Sequence, residues 1–315
     1  LMSISNEYIS RKALARLHSF MDLSMRIPRT NLAEEEEILG KARRQAKRHL
    51  SAYIVIFSSN FMVMILSQPI TEWLQGKSWK KLPFPWVIPP SNNEFMFWVV
   101  FWYQSIGIYF SHCTGMVILS FSSITIQITA LFEVLLLSLR HIEDRAKVKS
   151  ERYGMDYTTS ITACLKEDVI HHQSLARELI SATPHLRRTF FALSITISMI
   201  MACEAYPLIM GDFTMGELIK GMMFLAVQVV SWSQMCTRME SMADQNTAVF
   251  DALYDTPWYS SGVKYKKLML TSFTFAREPM YIISPLFIEM KATMSTFYSF
   301  MVSSFNILNV IRKMK

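Results

Sequence analysis

The sequence predicts an all-α polytopic membrane protein. Of its 315 residues, 51% are hydrophobic and only 18% are charged, and the mean hydropathy is +0.22. Glycine, which favours loops and turns, occurs only nine times. Residues 292–311 carry no formal charge, and a helix of that length crosses the roughly 30 Å of bilayer hydrocarbon at about 1.5 Å per residue. These features together exclude an ordinary soluble domain.

Five segments are predicted to cross the bilayer, and they are called spans one to five below. Span two begins at Phe95 and stays free of Asp, Glu, Lys and Arg through Phe132, which is longer than one crossing needs. Its end is therefore expected to continue as a helix into water. A shorter apolar piece and a break around Pro279 and Pro285 precede span five. The five spans are residues 50–71, 95–132, 189–210, 218–237 and 292–311, and the short apolar piece is 268–275.

Lysine and arginine are distributed unevenly between alternate connections. Residues 1–50, 140–188 and 238–267 hold 10, 9 and 4 of them, whereas 72–94, 211–217 and the tail after Ile311 hold 3, 0 and 3. The positive-inside rule places the first set in the cytoplasm and the C-terminus outside. Topology then explains the basic cluster just before span one, so the net charge of +7 requires no nucleic-acid partner. That cluster is Lys41, Arg43, Arg44, Lys47 and Arg48.

Some local contacts follow from spacing alone. Glu37 and Lys41 are four residues apart on a predicted helix and are expected to form an ion pair. Thr256 and Pro257 are expected to break the helix that continues span four, because the residue before a proline avoids the helical region. The aromatic residues around this break should pack against their neighbours.

Catalytic and metal-binding patterns are weak, so neither an enzyme nor a cofactor is expected. The four cysteines lie far apart and predict packed, reduced thiols, not a disulfide framework or a zinc site. His171 and His172 are adjacent and lack the i, i+4 spacing of a helical metal pair, so they are expected to be a solvated or capping pair. Phosphate-binding loops, nucleophile elbows and zinc-protease motifs are not evident.

Span five combines an uncharged sequence with a stripe of hydroxyl and amide side chains. Such a stripe is tolerable in a membrane only against protein or water. It is compatible with a pore wall and equally with close helix packing. Its members are Ser295, Thr296, Ser299, Ser303, Ser304, Asn306 and Asn309.

Several motifs in a fixed order resemble the C-terminal signature of insect odorant receptors. A turn with Tyr254, Trp258 and Tyr259 is followed by a lysine-rich entry, an apolar half-helix, Arg277-Glu278-Pro279, residues 287–291 and Phe297-Tyr298-Ser299. The lysines are Lys264, Lys266 and Lys267. Upstream, residues 82–86 read Leu-Pro-Phe-Pro-Trp before a long helix with Tyr103-Gln104, which is similar to the second outer loop and fourth helix of that family.

The resemblance implies a seven-transmembrane fold with a cytoplasmic N-terminus and an outer C-terminus. The five spans would be the third to seventh helices, and two helices before Leu1 would be missing. It also implies a division into four parts. These are a cytoplasmic helical segment at 1–49, a bundle with the ligand pocket at 50–237 that includes a cytoplasmic connection at 140–188, an anchor region at 238–275 and a pore-lining helix at 276–315.

The function implied is that of an odorant-binding subunit in a heterotetrameric, ligand-gated, non-selective cation channel. The partners implied are olfactory co-receptor subunits, a small volatile odorant, membrane lipids and permeating cations, at the plasma membrane of an olfactory neuron dendrite. Residues 140–188 are too short for the cytoplasmic insertion of the co-receptor itself, which favours a tuning subunit.

Matching by position gives candidate site residues. The odorant pocket would be lined by Phe61, Met64, Ile65, Gln68, Tyr103, Gly107, Phe110, Ser111, Ile219, Met222 and Met223. The pore and its gate would involve Ser303, Asn306, Ile307, Val310 and Ile311, where apolar rings could block ions by dewetting.

Three alternatives remain open at this point. A gustatory-receptor-like channel subunit is disfavoured because residues 304–311 depart from the ending typical of that family. A secondary transporter would be expected to show inverted repeats, and no repeat is evident. A G-protein-coupled receptor would need the opposite topology.

Overall fold

The computed structural model describes residues 32–74, 76, 94–210, 215–276, 283–284 and 290–313. Within these ranges the chain is almost entirely helical. The helices are α1 (Leu32–Leu74), α2 (Glu94–Arg140), α3 (Ile142–Tyr153), α4 (Tyr157–Met210), α5 (Met215–Tyr254), α6 (Val263–Ala276) and α7 (Met294–Lys313). Two short strands, β1 (Ile283–Ser284) and β2 (Met290–Lys291), pair antiparallel between α6 and α7.

Each predicted span lies on a separate helix, in the order α1, α2, α4, α5 and α7. The first two residues of predicted span five, 292 and 293, lie before α7, which begins at Met294. Helices α1, α2, α4 and α5 have 43, 47, 54 and 40 residues, so each is roughly 60 to 80 Å long. That is at least twice the bilayer hydrocarbon, and the prediction that span two continues as a helix is confirmed. The predicted break at Pro279 and Pro285 lies outside the described residues.

A glycine and an aspartate separate α3 from α4. Gly154 has φ 62° and ψ 26°, the left-handed conformation that ends helices and that residues with a Cβ atom rarely adopt. Two residues later the Asp156 carboxylate accepts a hydrogen bond from the backbone N–H of Thr158 at 3.1 Å. This N-cap satisfies a donor that the helix itself leaves unpaired. The Thr158 hydroxyl also donates to the Asp156 carboxylate, and that bond, together with the backbone bonds, lowers the pKa of Asp156. The chain can therefore reverse direction within a few residues.

The break after α5 is where the sequence predicted it. The helix ends at Tyr254, and the Thr256 hydroxyl donates a hydrogen bond of 2.8 Å to the Leu253 carbonyl. The Tyr254 ring lies 6.1 Å from that of Trp258 and 6.4 Å from that of Phe273 on α6. The expectation that aromatic residues pack at this turn is confirmed for these rings.

The chain divides into two units, and most of the described buried residues lie in the first. Its described residues fall within Leu1–Lys47, Ser122–Phe191 and Cys236–Thr293. The largest fully buried side chains there come from four helices, and they are Phe132, Leu135, Leu139, Ile142, Ile161, Leu165, Phe190 and Tyr265. Burial raises the pKa of Tyr265 to about 12, so the phenol stays neutral at physiological pH.

The second unit consists of Arg48–Phe121, Ala192–Met235 and Met294–Lys315. Large apolar side chains on its helices are exposed in the single chain. On α2, for example, Phe97 and Val100 are buried, whereas Trp102 and Ile106 are 60% and 51% exposed. A surface of this kind is suited to lipid or to further protein, not to water.

Hydropathy by itself does not distinguish the two units. Among the described residues, Ser122–Arg140 at the end of α2 is apolar and long enough to cross a membrane, with a mean hydropathy of 1.7. Yet 61% of that stretch is buried inside this chain, within the first unit. The apolar side chains at the end of α2 therefore pack mainly within the core of the protein.

A buried ion pair joins α3 to α4 in the first unit. Arg145 on α3 donates through Nη1 to both carboxylate oxygens of Asp168 on α4 at 2.8 Å, and the two side chains are only 7% and 4% exposed. The Ser138 hydroxyl of α2 donates to Asp168 at 2.6 Å. Glu167 lies 3.3 Å from the Arg145 guanidinium and also contacts Lys149. Burial disfavours the charge on Arg145, but Asp168 outweighs this effect and raises its pKa.

The prediction that His171 and His172 form a solvated or capping pair is wrong, because both are buried within α4. The Nε2 atom of His172 lies 3.3 Å from the amide oxygen of Asn246 on α5, and its ring lies 6.4 Å from that of Phe132. Adjacent residues on a helix rarely share one environment. Contacts with α2 and α5 enclose His172, and neither spacing nor charge signals this.

Acidification should destabilise the first unit through His172. Burial lowers the pKa of this imidazole from its ordinary 6.5, so the unfolded chain binds a proton that the folded chain does not. As pH falls below about 6.5, the free energy of unfolding should decrease by as much as about 1.4 kcal/mol per pH unit until the lowered folded pKa is reached. Melting temperatures of purified protein at about pH 7.5 and about pH 5.5 measure this effect.

His172→Gln is the matched variant, since its amide can still donate to Asn246 but does not titrate. The melting temperature of this variant should fall less between the two pH values than that of the wild type. Equal losses in the two proteins would show that His172 does not carry the dependence.

Candidate functional site

Helix α7 presents an exposed polar face. Ser295, Ser299, Ser303 and Asn306 recur at intervals of four, four and three residues and are all exposed in the single chain. That spacing places them on one side of the helix. The Ser303 hydroxyl donates to the Ser299 carbonyl at 2.8 Å, which satisfies its proton and leaves oxygen lone pairs on the surface. The other three residues of the seven-residue polar stripe, Thr296, Ser304 and Asn309, are partly buried.

An aromatic stack joins α7 to α5 away from that polar face. The Trp232 and Phe300 rings are nearly parallel, with an interplanar angle of 16° and centroids 5.5 Å apart. Trp232 is 1% exposed, and Phe300 is partly buried. Because Phe300 directly follows Ser299, it is turned from that residue by about 100° around the helix. One side of α7 is therefore packed within the second unit while the polar side is uncovered.

Helix α5 has two sides of different character. Ile219, Met222, Met223 and Val230 are exposed at helical spacing, whereas Gln228, Ser231, Trp232 and Met235 are buried. The three α5 residues predicted for the pocket thus share one face, with exposures of 54%, 56% and 49%. They lie on the side of α5 that does not hold the contact with α7.

The remaining predicted pocket residues lie on α1 and α2. Ile65 on α1 is partly buried, and Tyr103 on α2 is 67% exposed. The side chains of the others lie outside the described part of the chain, and these are Phe61, Met64, Gln68, Gly107, Phe110 and Ser111. The pocket as a whole stays a prediction.

The predicted pore residues are placed only in part. Ser303 and Asn306 lie on the exposed polar face of α7. The backbones of Ile307, Val310 and Ile311 continue the same helix, and their side chains lie outside the described residues. The gate therefore also stays a prediction.

A separate cavity of about 500 Å³ lies in the first unit, between the α2–α3 junction and the end of α5. Four exposed carboxylates line it, from Glu143, Asp144, Asp251 and Asp255, together with Arg140. Within the described residues, no group of three or more His, Cys, Asp or Glu side chains has metal-binding geometry. Cys164 and Cys236 are buried free thiols, as predicted, and the side chains of Cys113 and Cys203 lie outside the described residues.

A family model described as 7tm odorant receptor matches residues 4–305. The chain belongs to the odorant receptor family. These receptors are polytopic membrane proteins with a role in olfaction, which agrees with the composition, the five span-bearing helices and the apolar exterior of the second unit. Family membership favours this reading over the gustatory-receptor, transporter and G-protein-coupled alternatives. No curated protein sequence matches the receptor.

The receptor shares its fold with the insect olfactory receptor OR5 from Machilis hrabei. The two superpose with a TM-score of 0.76 at 14% sequence identity, over 99% of this chain and 77% of that one. The structure of OR5 in complex with eugenol matches with a TM-score of 0.75 at 15% identity, over 98% of this chain and 76% of that one. At these identities the similarity establishes the fold alone and does not identify pocket or pore residues.

Proposed function

We propose that this receptor is the odorant-binding subunit of a ligand-gated, non-selective cation channel. It assembles with olfactory co-receptor subunits into a heterotetramer in the plasma membrane of olfactory neuron dendrites. A small volatile ligand binds among the helices of the second unit and opens a central pathway for cations. Its N-terminus is cytoplasmic and its C-terminus lies outside, as the lysine and arginine asymmetry favours.

The polar face of α7 is the observation that supports a pore most directly. Ser295, Ser299, Ser303 and Asn306 are exposed although their helix bears a predicted span. In lipid, hydroxyl and amide groups on a helix surface need protein or water as a partner. A water-filled pathway shared between neighbouring subunits supplies both. Ile307, Val310 and Ile311 follow in the next turns and would form the apolar constriction.

The ligand site is proposed on α1, α2 and α5. The exposed face of α5 carries Met222 and Met223, and methionine side chains adapt to the shape of small apolar molecules. Hydrophobic transfer and dispersion would supply most of the affinity for a volatile ligand. That OR5 from Machilis hrabei was solved with eugenol supports a small-molecule site in this fold. The other residues of the proposed lining are Ile219 on α5, Phe61, Met64, Ile65 and Gln68 on α1, and Tyr103, Gly107, Phe110 and Ser111 on α2.

The anchor region is proposed to lie in the cytoplasm and to hold the subunits together. The proposed parts are the cytoplasmic segment 1–49, the bundle 50–237 with its connection 140–188, the anchor 238–275 and the pore helix 276–315. The first unit includes both the anchor and the connection 140–188, and its buried core, together with the buried ion pair within that connection, suits a rigid support for moving helices.

Co-expression with the co-receptor tests this function. Cells that carry both subunits should show calcium influx in response to at least one volatile from a broad odorant panel, and cells with either subunit alone should not show that response. Met222→Ala together with Met223→Ala should raise the odorant concentration for half-maximal influx by about tenfold, because each loses about 1 kcal/mol or less of ligand contact. Met62→Ala, at an exposed position on α1, is the matched control.

The orientation is tested in the same cells. An epitope tag after Lys315 should be accessible to antibody on intact cells, whereas a tag before Leu1 should require permeabilised cells. A C-terminal tag that is reached only after permeabilisation would overturn the proposed topology and the channel function with it.

A further inference from the structure

The Trp232–Phe300 stack is the starting point. Trp232 is the largest fully buried side chain among the described residues. Both residues belong to the second unit, and they lie on spans four and five. The rings are nearly parallel, with centroids 5.5 Å apart, which is within the range of favourable aromatic pairs. Helices α5 and α7 therefore cannot slide past each other at this level without changing the ring contact.

The two faces of α5 separate the proposed ligand site from the pore helix. Ile219, Met222 and Met223 are on the exposed side, and Trp232 is on the buried side with Gln228 and Met235. Along the helix, Trp232 is roughly 14 to 20 Å from the three pocket residues at about 1.5 Å per residue. A ligand on the exposed side of α5 can thus act on α7 through a displacement of α5 itself.

We propose that Trp232 and Phe300 are the positioning pair that transmits a ligand-induced shift of α5 to the pore helix α7. The proposal rests on the channel function proposed above. It assigns neither ring to ligand contact or to the pore wall. Phe300 lies on the packed side of α7, one residue after Ser299 and three before Ser303, so its movement turns or tilts the polar face directly.

The physical basis is close packing. A ligand opens the channel only to the extent that it binds the open arrangement of helices more tightly than the closed one. That preference reaches α7 if the contact between α5 and α7 has two discrete packings, since close-packed interfaces do not deform continuously. Flat stacked rings have such alternatives, because offset and edge-to-face arrangements are both favourable.

If Trp232 and Phe300 only stabilised the core and did not couple α5 to α7, their substitution would have a different effect. Loss of either ring would then reduce the amount of folded receptor and leave the odorant dependence of the remaining channels unchanged. The decisive quantity is the odorant concentration for half-maximal calcium influx, together with the maximal influx divided by the amount of receptor at the cell surface.

The experiment uses the full chain with the co-receptor and an odorant that activates the wild type. The variants are Trp232→Leu, Phe300→Leu, the double variant and Trp232→Phe, which keeps a ring. Phe250→Leu is the matched control, because Phe250 packs against Phe273 at 4.8 Å within the first unit, away from the proposed route.

Each leucine variant at positions 232 and 300 should shift the half-maximal concentration by about three- to tenfold, which is the size expected for one aromatic pair. The double variant should shift it no further than the larger single change, because the same contact is lost in all three. Trp232→Phe should stay close to the wild type, and Phe250→Leu should alter the surface amount alone.

Two results would overturn the inference while the channel function stands. One is a half-maximal odorant concentration in the double variant that is shifted by the product of the two single-variant fold-changes, which would mean that the rings act independently. The other is a normal half-maximal concentration at a reduced surface amount. A wild-type receptor that stays silent with the co-receptor across the odorant panel would overturn the channel function and this inference together.

Discussion

Asp168→Ala should remove most of the folded receptor from the cell. The substitution leaves the Arg145 guanidinium at 7% exposure without its closest carboxylate, and it also takes away the acceptor of the Ser138 hydroxyl. Breaking a buried pair in this way costs about 3 to 5 kcal/mol. Domains are stable by only about 5 to 15 kcal/mol in total, so the folded fraction should fall sharply. Fluorescence-detected size-exclusion of tagged receptor and its melting temperature measure the loss.

Two variants test whether the loss comes from the buried Arg145 charge that is left with only Glu167, 3.3 Å away, as a carboxylate partner. Glu37→Ala removes the partner of Lys41 in an ion pair on the surface of α1, where the N···O distance is 2.6 Å, and should change the melting temperature little. Arg145→Met combined with Asp168→Leu removes both charges and should recover much of the stability lost in Asp168→Ala. Glu167 keeps its contact with Lys149 in that double variant. A double variant that is less stable than Asp168→Ala would contradict this account.

Asn306→Lys should nearly abolish cation current while the receptor still reaches the surface. Asn306 is exposed on the polar face of α7, so a longer side chain there meets no packed neighbour in the single chain. An ammonium about 8 Å from a permeating cation raises its energy by about 2 kcal/mol at an effective dielectric constant of about 20, or roughly thirtyfold in occupancy. Whole-cell current at saturating odorant, divided by surface receptor, measures the effect.

Two control variants accompany Asn306→Lys. One changes the same position without adding a charge, and the other adds the same charge at the neighbouring position. Asn306→Ser preserves a small polar group on the proposed pathway and should conduct like the wild type. Phe305→Lys introduces the same charge one residue earlier, at a side chain that is 64% exposed but about 100° around the helix, and should reduce current less. Equal currents in Asn306→Lys and in the wild type would remove the polar face of α7 from the pore.

Sequence patterns predicted the helices well but located their buried polar partners poorly. Span five was recognised from its uncharged length, and the Glu37–Lys41 pair from i, i+4 spacing, because both signals are local. Arg145 and Asp168 are 23 residues apart, and His172 and Asn246 are 74 apart. Nothing in the local pattern of charge or hydropathy couples such positions. A basic stretch that contains two histidines therefore predicts a solvent-exposed pair, whereas contacts with α2 and α5 bury His172.

The candidate site divides in the same way. The polar stripe on span five was visible in the sequence, yet pore lining and helix packing were equally compatible with it. The structure separates the stripe into the exposed residues Ser295, Ser299, Ser303 and Asn306 and the partly buried Thr296, Ser304 and Asn309. The contact of α7 with α5 through Trp232 and Phe300 could not be predicted, because phenylalanine occurs on every span of this chain and no local pattern links two positions 68 residues apart.

By itself the sequence determined the class of protein, the five span-bearing helices and the family, because helix periodicity and transfer from water to hydrocarbon act over neighbouring residues. Only the tertiary structure decided which parts of those helices are enclosed by protein. Along α2, Phe132 and Leu135 are fully buried, whereas the apolar side chains of Val99 and Ile106 are exposed. Hydropathy measures the avoidance of water, and lipid and protein core satisfy it equally. Which of the two surrounds a side chain depends on the helices packed beside it.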